Sequence, residues 1–157
     1  MNKNSAKKIG VFLCKRQAAL SVAESCTGGL IGHEITNVPG SSDYFTGGVI
    51  AYSNAAKAKL LGVKKNTLAK YGAVSAQAAK EMAEGCRRVF KSNYAVAVTG
   101  IAGPSGGTKE KPTGLVYIAV ADKKSTVCRK FIFAGPRLRV KQQACEKTLQ
   151  FLLEYIR

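Results

Sequence analysis

Apolar positions follow helical spacing in some parts of the chain and strand-like spacing in others. Residues 4–17 place Ala6, Ile9 and Leu13 on one side with basic residues on the others, which predicts an amphipathic helix. Further helices are predicted over residues 27–37, 55–61, 66–71, 76–90 and 137–156. Apolar, β-rich runs predict strands over residues 19–25, 44–52, 94–99, 113–121 and 125–133.

This order of elements places helices before and after a mostly apolar sheet. It predicts an α/β protein, a three-layer α/β/α sandwich with a mixed, mostly parallel sheet and a C-terminal β-hairpin. The hairpin is expected at the turn over residues 122–124. No repeat or linker interrupts the pattern, so one domain is expected over residues 1–157.

The predicted first strand and second helix are joined by a small polar turn, residues 23–29 (AESCTGG). Such a turn places a hydroxyl and free backbone N–H groups at the open edge of a sheet, where Ser25 would be a suitable nucleophile. The alternative is a helix start capped by Ser25 or Thr27. Two more strand ends, residues 52–54 and 99–103, carry hydroxyls, and their convergence at the same edge favours the nucleophile.

Residue spacings exclude several kinds of site. Gly103–Thr108 lacks the lysine of a P-loop, and Gly28–Gly32 does not match G-x-G-x-x-G. The one histidine, His33, stands about two helical turns beyond Ser25 and is not expected to complete a Ser-His-Asp triad. The nine carboxylates show no metal-ligand spacing, so no metal or cofactor is expected.

Lysine is the remaining candidate for a base that activates a serine. Lys57 falls in or just beyond the first turn of a predicted short helix, where the helix dipole favours the neutral amine. The alternative is an ordinary solvated lysine.

Composition says more about where the protein is expected to be located than about any reaction it catalyses. The chain is 46% hydrophobic, has no apolar stretch long enough to span a membrane and shows no signal peptide, so a cytoplasmic location is expected. Its five widely spaced cysteines are expected to be reduced and mostly buried. The net charge of +16 leaves open nucleic-acid binding, a phosphate-bearing substrate or simple solubility, and the spread of the basic residues favours a solvated surface.

Six linked motifs resemble the CinA C-terminal family, the nicotinamide mononucleotide (NMN) deamidases, and the resemblance extends from about residue 5 to 155. The motifs are residues 23–29 (AESCTGG), 40–42 (GSS), 47–49 (GGV), 52–57 (YSNAAK), 72–75 (GAVS) and 99–114 (TGIAGPSGGTKEKPTG). The resemblance implies hydrolysis of NMN to nicotinate mononucleotide and ammonia in pyridine-nucleotide recycling, without a metal. It also implies the stand-alone form of the domain.

The same resemblance assigns roles to particular residues. It implies Ser25 as nucleophile and Lys57 as general base, with Ser42, Tyr52 and Thr99 as supporting hydroxyls. Residues implied to bind substrate or stabilise an oxyanion are Cys26, Thr27, Gly28, Gly29, Gly100, Gly103 and Arg137.

Two features leave room for other interpretations. Pro136 and Lys141 stand where the family tends to have an acid and a second arginine, which weakens Lys141 as a substrate contact. The family's association with competence and DNA damage keeps open a basic, non-catalytic adaptor or a nucleotide-binding domain. A homodimer is expected from the family and from Phe151 and Leu152, which look exposed on the last helix.

Overall fold

The structure, a computed structural model, describes residues 4–157; the first three residues of the basic N-terminal segment lie outside the described part. The α-helices are α1 (Asn4–Lys15), α2 (Leu30–Thr36), α3 (Asn54–Leu61), α4 (Lys65–Tyr71), α5 (Ala76–Phe90) and α6 (Arg137–Ile156). The strands are β1 (Leu20–Glu24), β2 (Phe45–Ile50), β3 (Tyr94–Gly100), β4 (Leu115–Ala121) and β5 (Thr126–Ile132). A short 3₁₀ helix, Ser41–Asp43, precedes β2.

One five-stranded sheet, in the order β2-β1-β3-β4-β5, organises the chain. β1 pairs in parallel with both β2 and β3, whereas β4 runs antiparallel to β3 and β5. The sheet is therefore mixed, with β4 alone reversed, and β4–β5 forms the C-terminal hairpin. This confirms the predicted fold class.

The two faces of the sheet carry side chains of different size. The face under α1, α2 and α6 presents branched residues, including Val22, Val96 and Ile118. The face under α3 and α5 presents mainly alanines, including Ala23 and Ala97. Because alanines are short, α5 can approach β1, β3 and β4 closely, and α3 packs in turn against α5.

Helix α2 begins at Leu30, three residues later than predicted. Gly28 and Gly29 adopt φ values of +64° and +97°, in the left-handed region that ends regular structure. The preceding residues therefore form a tight turn that holds Ser25 at the end of β1.

The last helix corrects the proposed basis for a dimer. Phe151 and Leu152 are buried in the core, not exposed, because α6 packs this side against the sheet and α1.

Three of the five free cysteines are buried, while Cys14 is exposed. Within residues 4–157, no helix combines the length and apolar character needed to cross a bilayer.

Candidate active site

A cleft of about 260 Å³ opens where β1, β2 and β3 end. It is bounded by the turn after β1, the start of α3, the loop before α5, the glycine-rich loop after β3 and the start of α6. The predicted site residues that line it are Ser25, Cys26, Tyr52, Lys57, Thr99, Gly100, Gly103 and Arg137. Ligand sites in open α/β sheets gather at this edge.

Ser25 is held at the cleft by backbone contacts. Its N–H donates to the carbonyl of Val98 at 3.1 Å, and its own carbonyl accepts from the N–H of Gly28 at 3.1 Å. Because side chains alternate along a strand, Glu24 is directed towards α2 and Ser25 towards α3. The Ser25 side chain is thereby aimed at Lys57.

Lys57 is 1% exposed, and every polar contact of its amine lies within the site. Nζ lies 3.0 Å from Ser25 Oγ, 2.8 Å from the carbonyl oxygen of Ala51 and 3.2 Å from that of Tyr52. A neutral amine donates two N–H groups and accepts at one lone pair. Two carbonyls and one hydroxyl satisfy that requirement if the Ser25 hydroxyl donates to Nζ.

Burial lowers the pKa of Lys57 from the ordinary lysine value of 10.5, because the charged amine loses its solvation. Within residues 4–157 no carboxylate contacts Nζ to restore the charged form. The site therefore favours an amine that can accept a proton from Ser25.

Burial affects the thiol of Cys26, adjacent to Ser25, in the opposite direction from the amine of Lys57. Burial raises the pKa of its thiol to about 12, so the thiol stays protonated at neutral pH. A protonated thiol is a poor nucleophile, so Cys26 is a weaker candidate nucleophile than Ser25.

Arg137, the first residue of α6, closes one side of the cleft. Its guanidinium donates to the carbonyl of Gly103 at 2.9 Å and to the hydroxyl of Tyr52 at 2.7 Å. Thr99 donates to the carbonyl of Ala73 at 2.9 Å and so ties the end of β3 to the loop before α5. These contacts join segments that lie far apart in the sequence.

Comparison with known proteins assigns this architecture to a family. The CinA C-terminal domain model matches residues 2–156. The chain belongs to the CinA C-terminal domain family. A CinA-like protein of Endomicrobium trichonymphae is 51% identical over 96% of the chain, and a competence-damage inducible protein of Moorella thermoacetica is 47% identical over 94%. The chain spans about a third of the length of these curated relatives.

Solved CinA structures share the fold of this domain over nearly its whole length. The competence/damage inducible protein CihA of Agrobacterium tumefaciens superposes with a TM-score of 0.96 at 37% identity, covering 99% of this chain and 95% of that one. A CinA superfamily protein of Enterobacter cloacae gives 0.95 at 30% identity, covering 99% and 92%.

Not every predicted site residue of this CinA domain reaches the cleft. Ser42 lies in the 3₁₀ helix before β2, at the opposite edge of the sheet, because the six residues of β2 separate it from Tyr52 by roughly 20 Å. Thr27 is fully buried in the turn, and its hydroxyl has no partner within residues 4–157. Lys141 reaches the outer side of this turn, where its Nζ would lie 3.5 Å from a Cβ on Gly28.

Glu24 is the most consequential residue of this CinA domain that sequence reasoning missed. Its buried carboxylate accepts from the N–H groups of Gly29, Ile31 and Gly32 at 2.9, 3.2 and 2.9 Å. It thus caps α2, the role the sequence suggested for Ser25 or Thr27, and it occupies the helix N-terminus where an anion would otherwise bind. The one signal was an acid directly before the turn.

The glycines of the predicted oxyanion segments are partly committed to the fold. The N–H of Gly28 donates to Ser25 and that of Gly29 to Glu24. In the described part of the chain, the N–H groups of Cys26, Thr27, Ala102 and Gly103 have no acceptor. Besides the eight predicted site residues, seven others within residues 4–157 line the cleft: Asn54, Ala73, Val74, Ile101, Ala102, Ser105 and Gly106.

Proposed function

We propose that this CinA domain is an amidohydrolase that converts NMN to nicotinate mononucleotide and ammonia through a Ser25/Lys57 dyad. The observation that carries the proposal is the buried amine of Lys57, 3.0 Å from the Ser25 hydroxyl. Family membership supports the same reaction through the resemblance described above. No step of the proposed reaction requires a metal or a cofactor.

The reaction begins when the Ser25 hydroxyl transfers its proton to Lys57 Nζ and its oxygen attacks the carboxamide carbon. Collapse of the tetrahedral intermediate breaks the C–N bond, and the Lys57 ammonium returns the proton to the leaving ammonia. The product is an ester between Ser25 and the nicotinoyl group. Water, deprotonated by the same amine, then hydrolyses this ester and regenerates Ser25.

Developing charge in this reaction falls on the carboxamide oxygen. The N–H of Cys26, next to the nucleophile in the cleft lining, donates to no backbone acceptor within residues 4–157. The N–H groups of Ala102 and Gly103 are uncommitted across the cleft in the same part of the chain. Such donors stabilise an oxyanion, an effect worth about 3–4 kcal/mol per donor in other hydrolases.

The charge of the cleft suits an anionic substrate. Within residues 4–157 its lining contains the guanidinium of Arg137 but no carboxylate. Arg137 stands at the N-terminal end of the long helix α6, whose dipole adds to the positive potential. A substrate with a phosphate group therefore matches the lining better than a neutral amide.

The proposal is tested by measuring ammonia and nicotinate mononucleotide released from NMN, with and without chelator. Wild type is compared with Ser25→Ala and with a matched control, Ser41→Ala, which removes a partly exposed hydroxyl at the opposite edge of the sheet. We expect Ser25→Ala to retain less than about a thousandth of wild-type turnover, as for nucleophile removal in serine hydrolases. Ser41→Ala should match wild type.

Three results would contradict the proposal. The first is a folded wild-type protein that releases no ammonia from NMN, and the second is undiminished turnover by a folded Ser25→Ala variant. The third is loss of turnover on chelation, which would replace the dyad by metal chemistry. Thermal melts of each variant show that loss of activity does not reflect unfolding.

A further inference from the structure

The edge of the sheet opposite the cleft gathers cations from segments that are distant in the sequence. Helices α1 and α5 end there, and the β4–β5 turn lies at the same edge, because β1 and β3 start where these elements finish. We call the exposed cations of this edge the basic face: Lys15, Arg16, Arg88, Lys91, Lys123 and Lys124.

Hydrogen bonds join two of the segments that carry the basic face. The N–H of Ala19 donates to Asn93 Oδ1 at 2.7 Å, and the N–H of Asn93 donates to the carbonyl of Ala19 at 3.0 Å. These bonds join the segment after α1 to the segment after α5. Farther along the edge, Arg88, Lys123 and Lys124 line one hollow of about 310 Å³.

Little of this charge is neutralised by the protein. Within residues 4–157 the one ion pair joins Arg129 to Glu154 and includes none of the basic face. The hollow contains Glu84 and Asp122, and Asp43 lies in the 3₁₀ helix at the same edge, so three carboxylates stand against the six cations of the basic face. The face therefore keeps a net positive charge.

We propose that the basic face binds the phosphate backbone of double-stranded nucleic acid. The hollow that holds Arg88 and the two lysines of the β4–β5 turn is lined only by polar or charged residues within residues 4–157, without the aromatic and apolar centre of a protein interface or the aromatic platforms that bind single strands. At the other end of the face, Lys15 borders a separate hollow that includes Val11 and Phe12. Five strands spaced about 4.8 Å apart make this edge roughly 19 Å wide, which corresponds to about six base pairs. A single phosphate group would fill only a small part of such a surface.

Recognition of this kind depends on charge and position, not on base sequence. With four or five phosphates neutralised, affinity should fall roughly 100- to 500-fold between 50 and 200 mM salt. Because the cleft lies at the other edge of the sheet, Ser25→Ala should bind duplex as wild type does. Duplex binding can therefore be tested independently of the proposed amidohydrolase activity.

The test is fluorescence anisotropy with labelled 20-base-pair duplexes, two of unrelated DNA sequence and one of RNA, over a salt series. Lys123→Glu/Lys124→Glu and Lys15→Glu/Arg16→Glu remove the two ends of the face. The matched control is Lys59→Glu/Lys70→Glu, which makes the same change in net charge at exposed lysines of α3 and α4. Thermal melts check that all variants fold.

We expect both face variants to bind at least tenfold more weakly at 50 mM salt, with a salt slope reduced by about two, and the control to stay within twofold of wild type. Equal weakening by the control would overturn the inference, because net charge alone would then explain binding. Absence of duplex binding by wild type at 50 mM salt would also overturn it. The inference would also be overturned if wild type bound phosphatidylglycerol vesicles but not duplex, and if the face variants abolished that vesicle binding. Comparison of the RNA and DNA arms identifies the preferred duplex.

Discussion

Replacing Lys57 by methionine removes the amine of the dyad while keeping an unbranched side chain of similar length. The variant loses the contacts of Nζ to Ser25 and to the carbonyls of Ala51 and Tyr52. Loss of a general base lowers turnover by about 10²- to 10⁴-fold. This raises the activation barrier for NMN hydrolysis by about 3–5 kcal/mol.

The same substitution should change stability much less. Two carbonyls lose their donor, which costs about 1–3 kcal/mol for each buried group. The variant also avoids the free-energy cost of desolvating the Lys57 amine, which partly offsets the loss of these hydrogen bonds. We expect the free energy of unfolding to change by under about 2 kcal/mol, or about 8 °C in melting temperature for a chain of this size.

The assay combines ammonia release from NMN with thermal melting. Lys59→Met is the matched control, since Lys59 lies on the same helix, two residues from Lys57, and is exposed. The control should keep wild-type turnover and a stability within about 0.5 kcal/mol. Turnover by Lys57→Met above about a tenth of wild type would refute the assignment of this amine as the base.

Two further predictions concern titration and packing. Because the folded-state pKa of Lys57 is lowered and the neutral amine is the active form, kcat/KM should rise with pH along a limb centred below 10.5; a limb at 10.5 itself would contradict burial of the base. Between that lowered pKa and 10.5 the unfolded chain binds the extra proton, so this residue's contribution to stability is lost as pH falls, and denaturant melts across this range should show it. Gly85→Ala would place a Cβ 1.7 Å from the carbonyl oxygen of Leu61, so we expect a loss of about 3 kcal/mol in stability and a fall in turnover as α3 shifts. In Gly32→Ala the nearest atom to the new Cβ is 3.6 Å away, so its melting temperature should match or slightly exceed wild type, and equal destabilisation of both variants would contradict this account.

Much of the fold was accessible from local pattern alone. Helical and strand periodicities located every α-helix and strand within a few residues, because each element must bury one face whatever its neighbours are. The same reasoning placed Ser25 in a small polar turn after the first strand. It was wrong about the start of the next helix, because Gly28 and Gly29 adopt left-handed φ values and α2 begins only at Leu30. It failed for the cap of α2, because an acid before the turn does not by itself show that the carboxylate of Glu24 folds back onto that helix.

Contacts between segments that are distant in the sequence determined how the candidate site is assembled. Lys57 approaches Ser25 across 32 residues, and Arg137 approaches Tyr52 across 85, so neither contact could be predicted from spacing. Ser42 lies away from the cleft because the length of β2 separates it from that end of the sheet, which the sequence motif did not indicate. The sequence by itself determined the elements, the net charge and the reactive residue types, since these follow from composition and short-range periodicity. Only the tertiary structure decided the burial of the base and the gathering of scattered cations on one face, because both depend on which segments meet.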